Sequence, residues 1–117
     1  MADNPVSFSE LMQAMADAVC RGDGEGAADF FTSDGVYHDV FYGAFEGRKR
    51  IAEMIQDYFH RDGQDFQWEM QNPVSDGSVG YAPYIFSYTS KLAGTEGRRA
   101  KFEGVSIVGL RDGLITE

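Results

Sequence analysis

Residues 37–51, YHDVFYGAFEGRKRI, set an imidazole and a carboxylate side by side, follow them with aromatics and then open what reads as a helix. Two readings fit the pair His38-Asp39. It is either the polar end of a strand or the floor of a pocket in which one carboxylate handles protons. The second has a clear chemical basis. An apolar enclosure penalises the charged form of a carboxylate, lifts its pKa from about 3.9 and makes it a better base near neutral pH. Neighbouring side chains on a strand point to opposite faces, so His38 and Asp39 cannot both look into one cavity unless a bulge intervenes.

The rest of the composition narrows the chemistry. A net charge of −9 and only ten Lys and Arg residues argue against a nucleic-acid partner, whose affinity comes from clustered cations. The short run Arg48-Lys49-Arg50 reads as the solvated start of a helix. Cys20 is the one cysteine, which excludes an internal disulfide and a multi-cysteine zinc site, and it reads as a small buried apolar residue. Neither a metal nor another cofactor is called for. No apolar run approaches the roughly 20 residues of a membrane span, and residues 1–10 lack the charged and apolar regions of a signal peptide. The expectation is one soluble, cytoplasmic domain over residues 1–117, long enough to bury a core unaided.

The elements that position the pair follow from periodicity. Ser7-Phe8-Ser9-Glu10 is a capping box, and Phe8, Leu11, Met15, Ala18 and Val19 recur at helical spacing until Gly22. A second, short helix is expected around 25–32, before the breaker cluster Ser33-Asp34-Gly35. A third runs from about Arg48 to Arg61, with Ile51, Met54, Ile55, Tyr58 and Phe59 on one stripe and Gly63 as its stop. The period then changes to alternation: Phe66, Trp68 and Met70 on one strand, a turn at 75–78, a strand over 79–92, a turn at 94–97, a strand over 100–110, and a last turn at 111–113. Helices first and an antiparallel meander after is the order of an α+β domain with helices laid on one sheet face.

Taken together, the opening helices, the YHDVFYGAFEG segment, the helix starting RKRIAEMI and the meander containing YAPYIFSY resemble the NTF2-like superfamily, in particular its SnoaL-like and ketosteroid-isomerase-like branch. The resemblance spans nearly the whole chain. It implies a cone-shaped sheet curled around three N-terminal helices, with a deep, mostly apolar cavity at the open end. It also implies a long last strand with aromatics, where this sequence reads only Leu114-Ile115-Thr116-Glu117 after its final turn.

The resemblance places Asp39 at the general base of ketosteroid isomerases, with Tyr37 on its face and His38 turned outward. Alternation then selects Ala82, Tyr84, Phe86 and Tyr88 from one strand and Phe102, Gly104 and Ser106 from the next as cavity wall, with Phe41 and Trp68 joining them. Such a lining suits a flat or polycyclic apolar ligand. In ketosteroid isomerases the base works with a tyrosine and a protonated aspartic acid that hold the oxyanion. Here Met15 and Ser106 stand at those two positions, which leaves Tyr84 or Tyr88 as the replacement donor. The Asp-Arg-Asp set of limonene-epoxide-hydrolase-like enzymes has no counterpart on the inward phase of Phe102, Gly104 and Ser106. SnoaL-like cyclases ask for less, a single carboxylate and an apolar pocket, although theirs lies late in the sheet. Two functions are open at this point. One is a cofactor-independent isomerase or cyclase working on an apolar carbonyl compound; the other is a non-catalytic module that binds an apolar small molecule or dimerises. The resemblance also implies a homodimer through the outer sheet face, for which Phe66, Ile85, Val105 and Ile107 are the apolar residues at hand.

Overall fold

The computed structural model describes residues 7–117; residues 1–6, within the stretch read for a leader, lie outside the described residues. Helix α1 (Phe8–Cys20) starts as its capping box dictates. The Ser7 hydroxyl accepts from the Glu10 N–H at 3.1 Å, and the Glu10 carboxylate accepts from the Ser7 N–H at 3.3 Å, so two donors at the helix start are satisfied. Its apolar stripe, Leu11, Met12, Met15, Ala18 and Val19, is buried.

Helix α2 (Gly24–Ala28) is shorter than periodicity suggests. Its expected last turn is taken by the C-terminus of the chain. Phe31 forms a parallel bridge with Ile115, and the Thr32 N–H donates to the Ile115 carbonyl at 2.8 Å. A long-range backbone partner here overrides the local preference of Phe30 and Phe31 for helix. Strands β1 (Val36–Asp39) and β2 (Gly43–Glu46) then form a hairpin in which Tyr37 faces Phe45 and Asp39 faces Gly43.

The third helical run is continuous but not uniform. It begins as α3 (Arg48–Glu53), widens to a π-helix over Met54–Phe59 and closes as α4 (His60–Asp62). Ile51, Met54 and Ile55 are fully buried, as the stripe predicts. The wider π turn shifts every later residue by about one position relative to an α-helix, a feature often found near functional sites. Gly63 ends the helical run where expected, and it is extended and opens the next strand. Its small size matters for another reason: a Cβ there would come within 2.8 Å of the Phe66 and Tyr88 rings.

The sheet comprises β3 (Gly63–Met70), β4 (Val74–Ser75), β5 (Val79–Ser90), β6 (Arg99–Arg111) and β7 (Leu114–Ile115), in the order β3-β5-β6-β7 with β4 also paired to β5. All of these pairings are antiparallel, and the register sets Trp68 beside Phe86, Phe86 beside Phe102 and Tyr84 beside Gly104. A bulge between Gln64 and Gln67, with Asp65 at φ 53°, adds a residue to β3 and bends its start. Phe66, expected on the outer face, instead lines the inner one with Trp68, as their two-residue spacing requires. Helix α1 lies across β3 and is fixed to it by Gln13, whose amide donates to the Trp68 carbonyl at 2.9 Å and accepts from the Met70 N–H at 3.0 Å. The result is an α+β cone: helices and an apolar core on the concave side of a curved antiparallel sheet, with Tyr81, Val105 and Ile107 exposed on the convex side. Among the described residues no helix is long and apolar enough to cross a membrane.

Candidate functional site

The concave face of β3, β5 and β6, the tip of the β1–β2 hairpin and the end of the third helical run enclose a cavity of about 530 Å³. Strand alternation explains much of the lining. Trp68 and Phe66 come from β3, Tyr84, Phe86 and Tyr88 from β5, and Phe102 from β6, all at every-second positions. The hairpin adds Tyr37, Asp39, Phe41 and Tyr42, and the helical run adds Phe59 and Asp62. A second cavity of about 210 Å³ lies beside it, bounded by Met12 and Met15 of α1 and bordered by the exposed His38, Val40 and Glu117. Tyr37, Asp39, Val40, Trp68 and Tyr84 line both, so they form the wall between the two spaces.

Asp39 is tied into its own turn. The N–H groups of Phe41 and Tyr42 both donate to its Oδ2, at 2.9 and 3.0 Å, the local bond that aspartate makes in tight turns. No donor reaches Oδ1 among the described residues. Beside it, burial pushes the Tyr37 phenol above its ordinary range, and the Asp39 charge adds to the shift. Tyr84 packs over Gly104, where a Cβ would come within 2.6 Å of the phenol oxygen; Gly104 gives the ring its place. The indole Nε1 of Trp68 is buried and without a hydrogen-bond partner among the described residues.

A second carboxylate reaches the larger cavity that the sequence did not single out. Asp62 accepts the Tyr42 hydroxyl at 2.6 Å and a two-pronged contact from Arg61, Nε at 2.6 Å and Nη2 at 2.8 Å. The Arg61 guanidinium holds the Asp62 carboxyl at about 2, with the Tyr42 bond lowering it further against the cost of burial. The same guanidinium lies over the Tyr58 ring, 5.2 Å from its centroid. Burial, then the bond to Asp62, raises the Tyr42 phenol above its ordinary range, so its proton stays put at neutral pH.

The expected residues thus fall into groups. Tyr37, Asp39, Phe41, Trp68, Tyr84, Phe86, Tyr88 and Phe102 all line the larger cavity, and Ser106 lines only the smaller one. Ala82 lines neither; it is fully buried in the core, because at its height helices rather than open space cover the sheet. Gly104 lines neither as well, since Tyr84 covers it. His38 is exposed and lines only the smaller cavity, with Nε2 3.5 Å from a Glu117 carboxylate oxygen. Met15 and Ser106, which stand at the family's oxyanion-donor positions, both face the smaller cavity. Phe59 was legible only as part of the helix's apolar stripe, and Tyr42 and Asp62 carried no usable signal, the first lying in a turn and the second just past the π-helix. Among the described residues no group of three or more His, Cys, Asp or Glu could hold a metal ion.

Solved structures with the same fold are numerous. A hypothetical protein from Catenulispora acidiphila with a ketosteroid-isomerase-like fold, in complex with trimethylamine, superposes with a TM-score of 0.81 at 18% identity, over 94% of this chain and 82% of that one. A candidate polyketide cyclase from Xanthomonas campestris gives 0.69 at 23% identity, over 91% and 82%. An LEH-like epoxide hydrolase from M. tuberculosis gives 0.72 at 18% identity, over 92% and 76%. At these identities the likeness is one of fold. No curated protein matches in sequence. Residues 12–117, nearly all of the described chain, match the SnoaL-like domain, and the protein belongs to that family, on the NTF2-like, ketosteroid-isomerase-like fold.

Proposed function

We propose that this domain is a small, cofactor-independent isomerase- or cyclase-like enzyme that carries out acid/base chemistry on an apolar carbonyl compound. The observation that carries the reading is the shared wall: a carboxylate, Asp39, and a phenol, Tyr84, line both spaces of an aromatic cavity large enough for a small-molecule substrate. Asp39 is the base that takes the α-proton. Tyr84 is the better of the two expected donors, because Tyr88 lines the larger cavity alone.

A second reading is favoured by one observation, the two backbone bonds on Asp39 Oδ2, which give this carboxylate a structural task in its turn. On that reading the domain binds or dimerises without catalysis. One substitution separates the two. Asn at position 39 keeps an oxygen for the Phe41 and Tyr42 N–H groups but takes no proton at neutral pH. Asp39→Asn should therefore lower α-proton exchange of a bound ketone by about a hundredfold or more, with ligand affinity nearly unchanged. Tyr84→Phe should lower it by a similar factor and Tyr88→Phe by less. Exchange into deuterium oxide, followed by NMR, reads the outcome; ketones that bind the parent protein and never exchange would establish the binding module.

A further inference from the structure

The charge and ring content of the larger cavity say more about its ligand than apolarity does. Among the described residues its charged lining is Asp39, Asp62 and Glu103, and no Lys, Arg or His lines it. Strand alternation turns the Glu103 side chain to the convex face, opposite Phe102, so Glu103 borders the rim and carries no weight here. Asp62 is already neutralised by the Arg61 guanidinium, and Lys91 is engaged with the His60 carbonyl at 2.8 Å. Asp39 has only backbone donors. Among the described residues it is the one carboxylate on the cavity wall without a cation beside it.

The rings around that carboxylate stand in two orientations. Phe59, Phe66, Tyr88 and Phe102 form a series of near-parallel neighbours, with successive planes 25° to 30° apart and centroids 5.6 to 6.3 Å apart. Trp68 stands at 78° to Phe86, and Tyr37 at 84° to Phe59. All of these rings line the same cavity as Asp39, so a group lodged there is surrounded by aromatic side chains in more than one orientation. Ring faces carry partial negative charge and attract cations.

A ligand that fills the cavity removes the water that solvates Asp39. A neutral ligand leaves that charge uncompensated, an anion adds repulsion, and a cation restores what hydration supplied. We propose that the molecule bound here carries an organic cation, a protonated tertiary or quaternary ammonium, seated against the aromatic walls with Asp39 as its counter-ion. The inference rests on the cavity being a small-molecule site and on nothing in the proton-transfer reading; an ammonium beside Asp39 lowers that carboxylate's basicity, so with a cationic ligand the two roles compete.

The test uses three probes of one shape: choline, its neutral carbon isostere 3,3-dimethylbutan-1-ol, and the anion 3,3-dimethylbutanoate. Trp68, the chain's one tryptophan, lines the cavity and reports occupancy by fluorescence, with ligand-observed NMR as a second readout. Choline should saturate with a Kd about tenfold or more below that of the alcohol, and the carboxylate should not bind. In Asp39→Asn the preference for choline over the alcohol should shrink several-fold, while the alcohol's own affinity holds. Equal binding of choline and the alcohol to the parent protein overturns the proposal, as does the absence of any saturable response to choline. The exchange assay above uses neither probe, so exchange without choline binding sinks this inference alone, and choline binding without exchange sinks only the enzymatic one.

Discussion

Asp62 shows how a single carboxylate can matter to the fold and stay hidden in the sequence. Its side chain is 14% exposed, while its Arg61 partner is 60% exposed, so the stabilisation comes from charge-assisted bonds in a partly dry setting rather than from a surface ion pair. The folded-state pKa is depressed, from 3.8 to about 2. The sign follows from linkage: this stabilisation is complete above the unfolded value near 4 and is lost as pH falls toward 2. Thermal melts between about pH 5 and 2 should therefore show a steeper loss of Tm for the parent protein than for Asp62→Asn, which starts lower and has no such carboxylate to protonate. Parallel curves would mean that Asp62 contributes nothing to acid stability. Asp39, by contrast, was legible at once. It sits in a strand-like run of aromatics, where a carboxylate stands out, whereas Asp62 follows Arg61 at a helix end and reads as an ordinary solvated pair.

Elements decide which of these side chains meet. The strands were readable because alternation is a backbone property with a fixed period, and β3, β5 and β6 fall close to where the pattern places them. The shortened α2, the π-helix and the β3 bulge were not readable, since each answers to a partner distant in sequence. One consequence of strand register is testable. Tyr84 and Gly104 pair across β5 and β6, and the phenol oxygen occupies the space of a Cβ at position 104. Gly104→Ala should destabilise the protein by about 1–3 kcal/mol through overpacking, measured by urea unfolding. Removing the oxygen with Tyr84→Phe should recover part of that loss in the double variant. Additive effects would show that the contact is not what makes glycine necessary there.

At the scale of the whole molecule the convex sheet face remains. Val74 pairs with Tyr81, and Tyr81 pairs with Ile107, so these exposed apolar residues run side by side across three strands, with Val105 nearby. Val105 is 54% exposed and Ile107 66%, and a patch of this kind marks an association surface. A second copy with the same patch satisfies it by twofold symmetry, and we propose a homodimer through this face. Light scattering at micromolar concentration should report twice the 13.0 kDa chain mass, and Ile107→Lys should halve it by burying an unpaired charge. A monomeric parent protein would rule the dimer out. The sequence by itself determined the class of the molecule: apolar periodicity specifies helices and then an antiparallel meander, and the D-x-F-x-G-x-x-x-G-R-x-x-I arrangement indicates the family. Its alternation also placed Tyr84, Phe86, Tyr88 and Phe102 on one face, because side-chain direction on a strand is local. Only the tertiary structure decided that the space before them divides in two, that Ala82 is core rather than wall, and that Asp62 and Tyr42 join Asp39 on the lining. Cavities are what packing leaves open, and that depends on contacts between residues far apart in the chain, such as Phe31 with Ile115 and Tyr42 with Asp62, which no local period encodes.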